Sequence, residues 1–210
     1  MATMDEFEIE QFCGGPFQTN GYLFKSGDKN WLFDAPDGVA DWLLEKGVTL
    51  DGLILTHQHH DHVIGAGKVV EVFECPIWAH SEPSEDLTMA KRLEAMIGMP
   101  CELEPYIIDH LLEGEAELDL PELPVRILHV PGHSPDSLCF LIKENPLVVG
   151  GDVLFRGGIG RTDFPHGDHD LLISGIKEKL WPLPDGTQVL PGHGPTTAIG
   201  MEKTTNPFLQ

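Results

Sequence analysis

Thr56-His57-Gln58-His59-His60-Asp61-His62 gathers four histidines and an aspartate into six residues, immediately after the apolar run of residues 51–56. A short apolar run bounded by turn residues reads as a buried strand. The motif therefore sits where the chain leaves a sheet for a helix. In extended backbone alternate side chains share a face, so His57 and His59 point together and Gln58 turns away. Asp61 and His62 enter the following turn, where they can face a second ion beside the first. Imidazole and carboxylate donors together suit zinc, manganese or iron. A lone histidine is ordinarily a satisfied core or loop residue. Four of them at one strand end read as a metal site.

Outward from this point, residues 7–12, 21–25 and 31–34 read as short strands between Gly-rich or Asn-rich turns. Residues 38–46 have helical spacing and stop at Gly47, a C-terminal cap. After the motif come an expected helix over 63–73, a strand over 76–79 and a helix over 84–97. The last has Ser84 as N-cap, with Leu87, Ala90 and Leu93 on one face. The second half repeats the theme with strands over 125–130, 137–142 and 147–149, a helix over 168–180 and a strand over 187–190. Strands then helix, twice over, predict two packed sheets with helices outside them. Residues 98–124, rich in Pro and Glu, read as a long surface connection or a lid. A linker there would split the ligand set, so residues 1–210 are expected to form one domain.

Three further points share the local character of the motif. Pro131-Gly132-His133-Ser134, Gly150-Gly151-Asp152 and Pro191-Gly192-His193-Gly194 each follow an expected strand, and each puts one ligand-type side chain in a glycine-bearing turn. Glycine permits tight turns and close backbone approach, and loops at strand ends commonly carry active sites. Singly each is an ordinary turn; with the histidine motif they form a constellation.

Composition narrows the partners. A net charge of −21, from 13 Lys+Arg against 34 Asp+Glu, repels polyanions and argues against nucleic acid and anionic bilayers. No run of about 18 apolar residues suggests a span. The acidic start, residues 1–6, lacks the marks of a secretory signal, so cytoplasm is the expected compartment. Cys13, Cys75, Cys101 and Cys139 are scattered without a C-x-x-C pair and read as bystanders.

Taken together, H-x-H-x-D-H followed by separated His, Asp and His resembles the metallo-β-lactamase superfamily over nearly the whole chain. That resemblance implies a mixed α/β fold, a four-layer αββα sandwich. It also implies that His57, His59 and His133 hold one metal, that Asp61, His62 and His193 hold a second, and that Asp152 bridges both. Residues 150–164, Leu190-Pro-Gly-His-Gly-Pro-Thr196 and the terminal Asn206-Pro-Phe-Leu are similar to the short glyoxalase II-like hydrolases. Full-length glyoxalase II enzymes act on hydroxyacylglutathione thioesters and add a C-terminal helical region that helps hold glutathione. This chain ends 17 residues after His193, so the residues of that region have no counterpart here to carry over.

The expected cofactors are two divalent metal ions, zinc first and iron or manganese as alternatives. They would lower the pKa of a shared water and polarise the substrate carbonyl, with Asp61 as the catalytic side chain beside the hydroxide. The expected partner is a small-molecule thioester or ester, and the chain is expected to act as a monomer or small homo-oligomer. Arg161 is a candidate for anchoring a substrate carboxylate, with an ion pair to Asp163 as the plainer reading, and His80 is a candidate for lining the pocket. His60 matches no ligand position and is read as supporting the ligands or facing solvent. The competing activity is a persulfide dioxygenase with a single iron held by two His and one Asp. A lactamase is disfavoured because Asp152 stands where many zinc lactamases carry a Cys ligand.

Overall fold

The computed structural model describes residues 7–98, 100–143 and 145–210; the acidic start, residues 1–6, lies outside them. The first half runs β1 (Glu8–Gly14), β2 (Thr19–Ser26), β3 (Lys29–Phe33), α1 (Val39–Lys46), β4 (Gly52–Ile54), α2 (His60–Val63), α3 (Ala66–Phe73), β5 (Ile77–Ala79), α4 (Glu85–Thr88) and α5 (Ala90–Ile97). Then come β6 (His110–Leu111), β7 (Glu117–Leu120), β8 (Leu123–His129), β9 (Leu138–Ile142) and β10 (Leu147–Gly151). A small hairpin follows, β11 (Leu154–Phe155) with β12 (Gly158–Ile159). The chain closes with α6 (His169–Gly175), a π-helical continuation (Ile176–Leu180), β13 (Gln188–Pro191), β14 (Thr197–Ala198) and α7 (Ile199–Thr205).

Two six-stranded sheets result, ordered β1-β2-β3-β4-β5-β6 and β14-β13-β10-β9-β8-β7. The alternation of side chains along each strand sorts the apolar residues into three packed zones. Tyr22, Phe24, Trp31 and Phe33 of one sheet meet Val125, Ile127, Phe140 and Val149 of the other in a central zone. The intervening Leu23, Leu32 and Leu53 face α1 and α3. On the far side Cys139, Val148 and Val189 face Leu172 and Ile176 of the α6 region. The order of layers is helix, sheet, sheet, helix, as the alternating strand patterns require once both faces of each sheet are covered.

Three expectations need correction. Residues 98–124 are more than a surface connection, because they contribute β6 to the edge of one sheet and β7 to the edge of the other. The helix expected over 84–97 is two helices, broken at Met89, whose φ of 54° is left-handed. Ser84 does cap the first of them, its hydroxyl accepting from the Leu87 N–H. The helix expected over 63–73 begins earlier and is interrupted after Val63.

The sheets are stitched at one end. Leu138 N–H donates to the Thr56 carbonyl (2.8 Å), Gln58 N–H to the Asp136 carboxylate (3.0 Å) and Tyr22 O–H to the Pro191 carbonyl (2.7 Å). Those bonds tie the end of β4 to the start of β9 and the turn before it, and β2 to the end of β13.

Candidate metal centre

Four strand ends carry the predicted ligands. His57 and His59 lie on the extended segment after β4, and Asp61 and His62 in α2. His133 follows β8, Asp152 follows β10 and His193 follows β13. Their donor atoms converge in three overlapping groups: His57, His59 and His133; His57, His62 and Asp152; and Asp61, His62 and His193. Within each group the atoms lie within 4.8 Å of one another.

Tight turns make the convergence possible. Gly132 sits at φ +128°, and a Cβ there would lie 2.5 Å from the Leu172 backbone nitrogen. A Cβ on Gly192 would lie 2.1 Å from Asp152 Oδ1 and 2.6 Å from the His62 ring. Both turns need glycine because the backbone itself forms the wall behind the ligands.

Five of the candidate ligands are oriented from behind. His62 Nδ1 faces Asp34 Oδ2 (2.9 Å), His133 Nδ1 faces the Arg161 carbonyl (2.8 Å) and His193 Nδ1 faces the Phe17 carbonyl (3.1 Å). An Nδ1 facing an oxygen acceptor donates to it, which leaves Nε2 bare toward the centre. His57 Nδ1 lies 3.1 Å from the Thr56 hydroxyl, and Thr19 O–H donates to Asp61 Oδ2 (2.6 Å).

The inward-facing atoms lack partners. His57 Nε2, His62 Nε2, His133 Nε2 and Asp152 Oδ1 are buried without a hydrogen bond. Each such atom costs about 1–3 kcal/mol if nothing meets it, and several sharing one centre are what a cation satisfies. Burial, reinforced by neighbouring imidazoles, holds His57 well below the ordinary histidine value, and burial brings His59 down to about 3. For His62 burial acts against protonation, yet Asp152, Asp61 and Asp34 outweigh it and raise the group. His193 goes up to about 10 against its own burial, through Asp152 and Asp61. Asp152 is held well down against its burial, first by His62. Imidazoles kept neutral at His57 and His59, beside carboxylates that favour protons on His62 and His193 which a cation would displace, form a donor set fit for divalent metal ions.

A cleft of about 200 Å³ opens onto this centre, bordered by Phe17, Met89, Arg92, Arg161 and Phe164. Arg161 borders it and also makes the bidentate pair with Asp163 (2.9 and 2.7 Å), with its guanidinium 4.3 Å above the Phe164 ring. His80 is not among the residues lining the cleft; its ring lies 4.5 Å from that of His129, and its Nδ1 faces the Ser81 hydroxyl. His60 does line it, buried and with Nε2 unpartnered. Sequence reasoning missed Asp34, Thr19 and Arg92. Asp34 had one legible sign, a carboxylate ending an apolar strand. The other two, at the start of β2 and within α5, depend on tertiary packing and have none.

Comparison with known proteins supplies the context. A family model described as "Metallo-beta-lactamase superfamily" matches residues 14–193. The chain is 40% identical to a hydroxyacylglutathione hydrolase (GloC) of Haemophilus influenzae, over 92% of this chain and 93% of that one. Among solved structures, a BLEG-1 B3 metallo-beta-lactamase superposes with a TM-score of 0.87 at 37% identity, covering 96% of this chain and 99% of the other. TTHA1623 in a di-iron-bound form superposes with a TM-score of 0.82 at 34% identity, covering 95% and 100%.

Proposed function

The chain belongs to the metallo-beta-lactamase superfamily, and from that premise we propose that it is a thioester hydrolase working with two divalent metal ions on a small acyl thioester of the hydroxyacylglutathione kind. The observation that carries the reading is the overlap of the three ligand groups, whose seven side chains are enough for two adjacent ions rather than one. The named activity of the Haemophilus influenzae relative supports the choice of substrate class.

In this reading His57, His59 and His133 would hold one ion and Asp61, His62 and His193 the other, with Asp152 available to both. Zinc is the first choice, with iron next because a 34% identical neighbour holds two irons, and manganese as a further alternative. Bound there, two divalent ions supply hydroxide near neutral pH and polarise the carbonyl to be attacked. The remaining work belongs to the chain. Asp61, steadied by Thr19, accepts the proton-side hydrogen bond of the nucleophile and so aims it. Phe17 and Phe164 border the cleft and limit water beside the carbonyl. Arg161, fixed by Asp163 and Phe164, offers its remaining N–H edge to an anionic part of the substrate. The leaving group is a thiolate, with a thiol pKa of about 8.5, and needs no general acid. Residues 1–210 act as one domain in this scheme, because both sheets contribute ligands.

Elemental analysis alongside hydrolysis of a hydroxyacylglutathione tests the reading. About two ions per chain and thiol release that disappears in His59→Ala are expected. A single iron with oxygen uptake on a persulfide, and no thioester turnover, would overturn it in favour of the dioxygenase. Lactam hydrolysis is the second reading, favoured by the 37% identical B3 metallo-beta-lactamase. Turnover of a lactam ring with thioesters left intact would establish it.

A further inference from the structure

α5 has an apolar face and no core to put it in. Ala90, Leu93, Met96 and Ile97 recur at helical spacing, yet no residue of α5 is buried and none belongs to the three packed zones. Met96 and Ile97, with Phe17 across from them, are 61, 44 and 43% exposed. Contiguous exposed apolar surface of this kind marks a binding site more often than chance.

What the helix faces is a cleft with two arms. The first is the cleft already described, where Arg92 stands beside the Arg161–Asp163 pair, so that two of the chain's four arginines meet in one place. The second is a cavity of about 380 Å³ between the residue 14–17 turn and α5, walled by Pro16, Phe17, Ile64, Leu93, Ile97 and Pro100. Phe17, His60, Asp61 and Leu93 line both, so the arms join at the metal centre. The arms differ in chemistry. Among the described residues the second has no basic side chain on its wall, and apart from Asp37, which is exposed, its charged or imidazole groups are His60 and Asp61 of the centre itself. An anionic group placed there would meet carboxylates without a cation, whereas a hydrocarbon chain would meet apolar walls.

We propose that this second arm is an acyl-chain pocket. The substrate is the thioester of an aliphatic acid, with its chain laid between Phe17, Ile64, Leu93 and Ile97. Its carbonyl sits at the Asp61 end, and its anionic thiol portion lies along Arg92. The proposal rests on the thioester hydrolase reading and narrows it. In the reaction the acyl C–S bond breaks as the oxygen of water bonds the acyl carbon. The thiol keeps one proton of that water, and the carboxylic acid formed releases the other to solvent.

The test uses the metal-loaded protein and one thiol throughout. With S-acetyl-, S-butanoyl- and S-hexanoylglutathione, kcat/KM is expected to rise about fourfold per added methylene, the equivalent of about 0.8 kcal/mol each. Calorimetry with non-hydrolysable S-methyl- and S-hexylglutathione reads the pocket without turnover, and on the same scale the five added methylenes are expected to make the hexyl compound bind about 10³-fold tighter. Ile97→Trp, which fills the arm from an exposed helix position, is expected to flatten both series while its thermal melt and circular dichroism stay those of the parent. If short hydroxyacyl thioesters are cleaved but both series are flat, the pocket is wrong and the hydrolase reading stands. If no thioester is cleaved yet the hexyl compound binds tighter and Ile97→Trp abolishes the difference, the pocket stands and the hydrolase reading falls.

Discussion

Asp34 does more at the centre than its place at the end of β3 suggests. Its Oδ1 accepts the Thr56 N–H (2.7 Å), and its Oδ2 accepts both the Thr56 hydroxyl (2.8 Å) and His62 Nδ1 (2.9 Å). It does so from a left-handed backbone, φ 59°, which Asp and Asn tolerate better than other non-glycine residues. Asp34→Asn keeps the shape and the backbone preference but removes the charge behind His62. Metal affinity or activity should fall by about 10–100-fold, measured by chelator competition and steady-state rates, with the melt of the metal-free protein little changed. Gly192→Ala tests close approach instead. Its added methyl would occupy space 2.1 Å from Asp152 Oδ1 and 2.6 Å from the His62 ring. Loss of at least one ion per chain is expected by elemental analysis, with activity down by about 10²-fold or more; a fully loaded, fully active variant would show that the turn relaxes freely.

At the scale of elements, α6 is the buttress of the His133 turn. Asp168 caps it, its carboxylate accepting the Leu171 N–H (2.9 Å), while its own N–H donates to the Gly132 carbonyl (2.8 Å). The helix start therefore leans on the backbone beside His133. Asp168→Ala keeps the backbone bond and loses the cap. A loss of about 1 kcal/mol is expected in denaturant unfolding, with a smaller effect on metal content than Gly192→Ala has. α4 and α5 show the opposite economy: α4 buries Leu87 and Thr88, then the left-handed turn at Met89 swings α5 off the core and over the cleft. The helical period of residues 84–97 was readable, but the break was not, because nothing in the residue type of Met89 requests a positive φ.

For the whole molecule, the centre is a clasp between two sheets. With no ion at the centre, its buried His and Asp atoms are left with only one another to satisfy them. Chelation is expected to lower the melting temperature, the lost stabilisation reaching about 4 kcal/mol where free ion had stood at a thousand times its dissociation constant. The effect has a definite pH sense. Without metal, carboxylates raise His62 and hold His193 protonated past neutrality. That stabilises the metal-free fold most below the unfolded histidine pKa of about 6.5, and the benefit is lost as pH rises through the folded value of about 10 for His193. An incoming ion must displace those protons. The metal-induced rise in melting temperature should therefore be larger at pH 8 than at pH 6, as scanning calorimetry would read directly.

The local chemistry was written in the chain order. Alternation along β2, β3, β9 and β10 determines which side chains face the partner sheet, because a strand has only two faces, and the spacing of His57 and His59 follows from the same period. The glycine turns before His133, Asp152 and His193 mark where backbone can approach closely, which is a property of the residue itself. Tertiary structure alone decided the rest. Asp34 meets His62 across 28 residues, Thr19 meets Asp61 across 42, and the His193 ring meets the Phe17 carbonyl across 176. No periodicity spans such distances; they are set by how two sheets stack. The edge strands within residues 98–124 and the turn of α5 toward the cleft belong to the same class. Short, polar or ambiguous segments adopt whatever the open sheet edge or the apolar cleft beside them stabilises, and their own composition does not choose between the two.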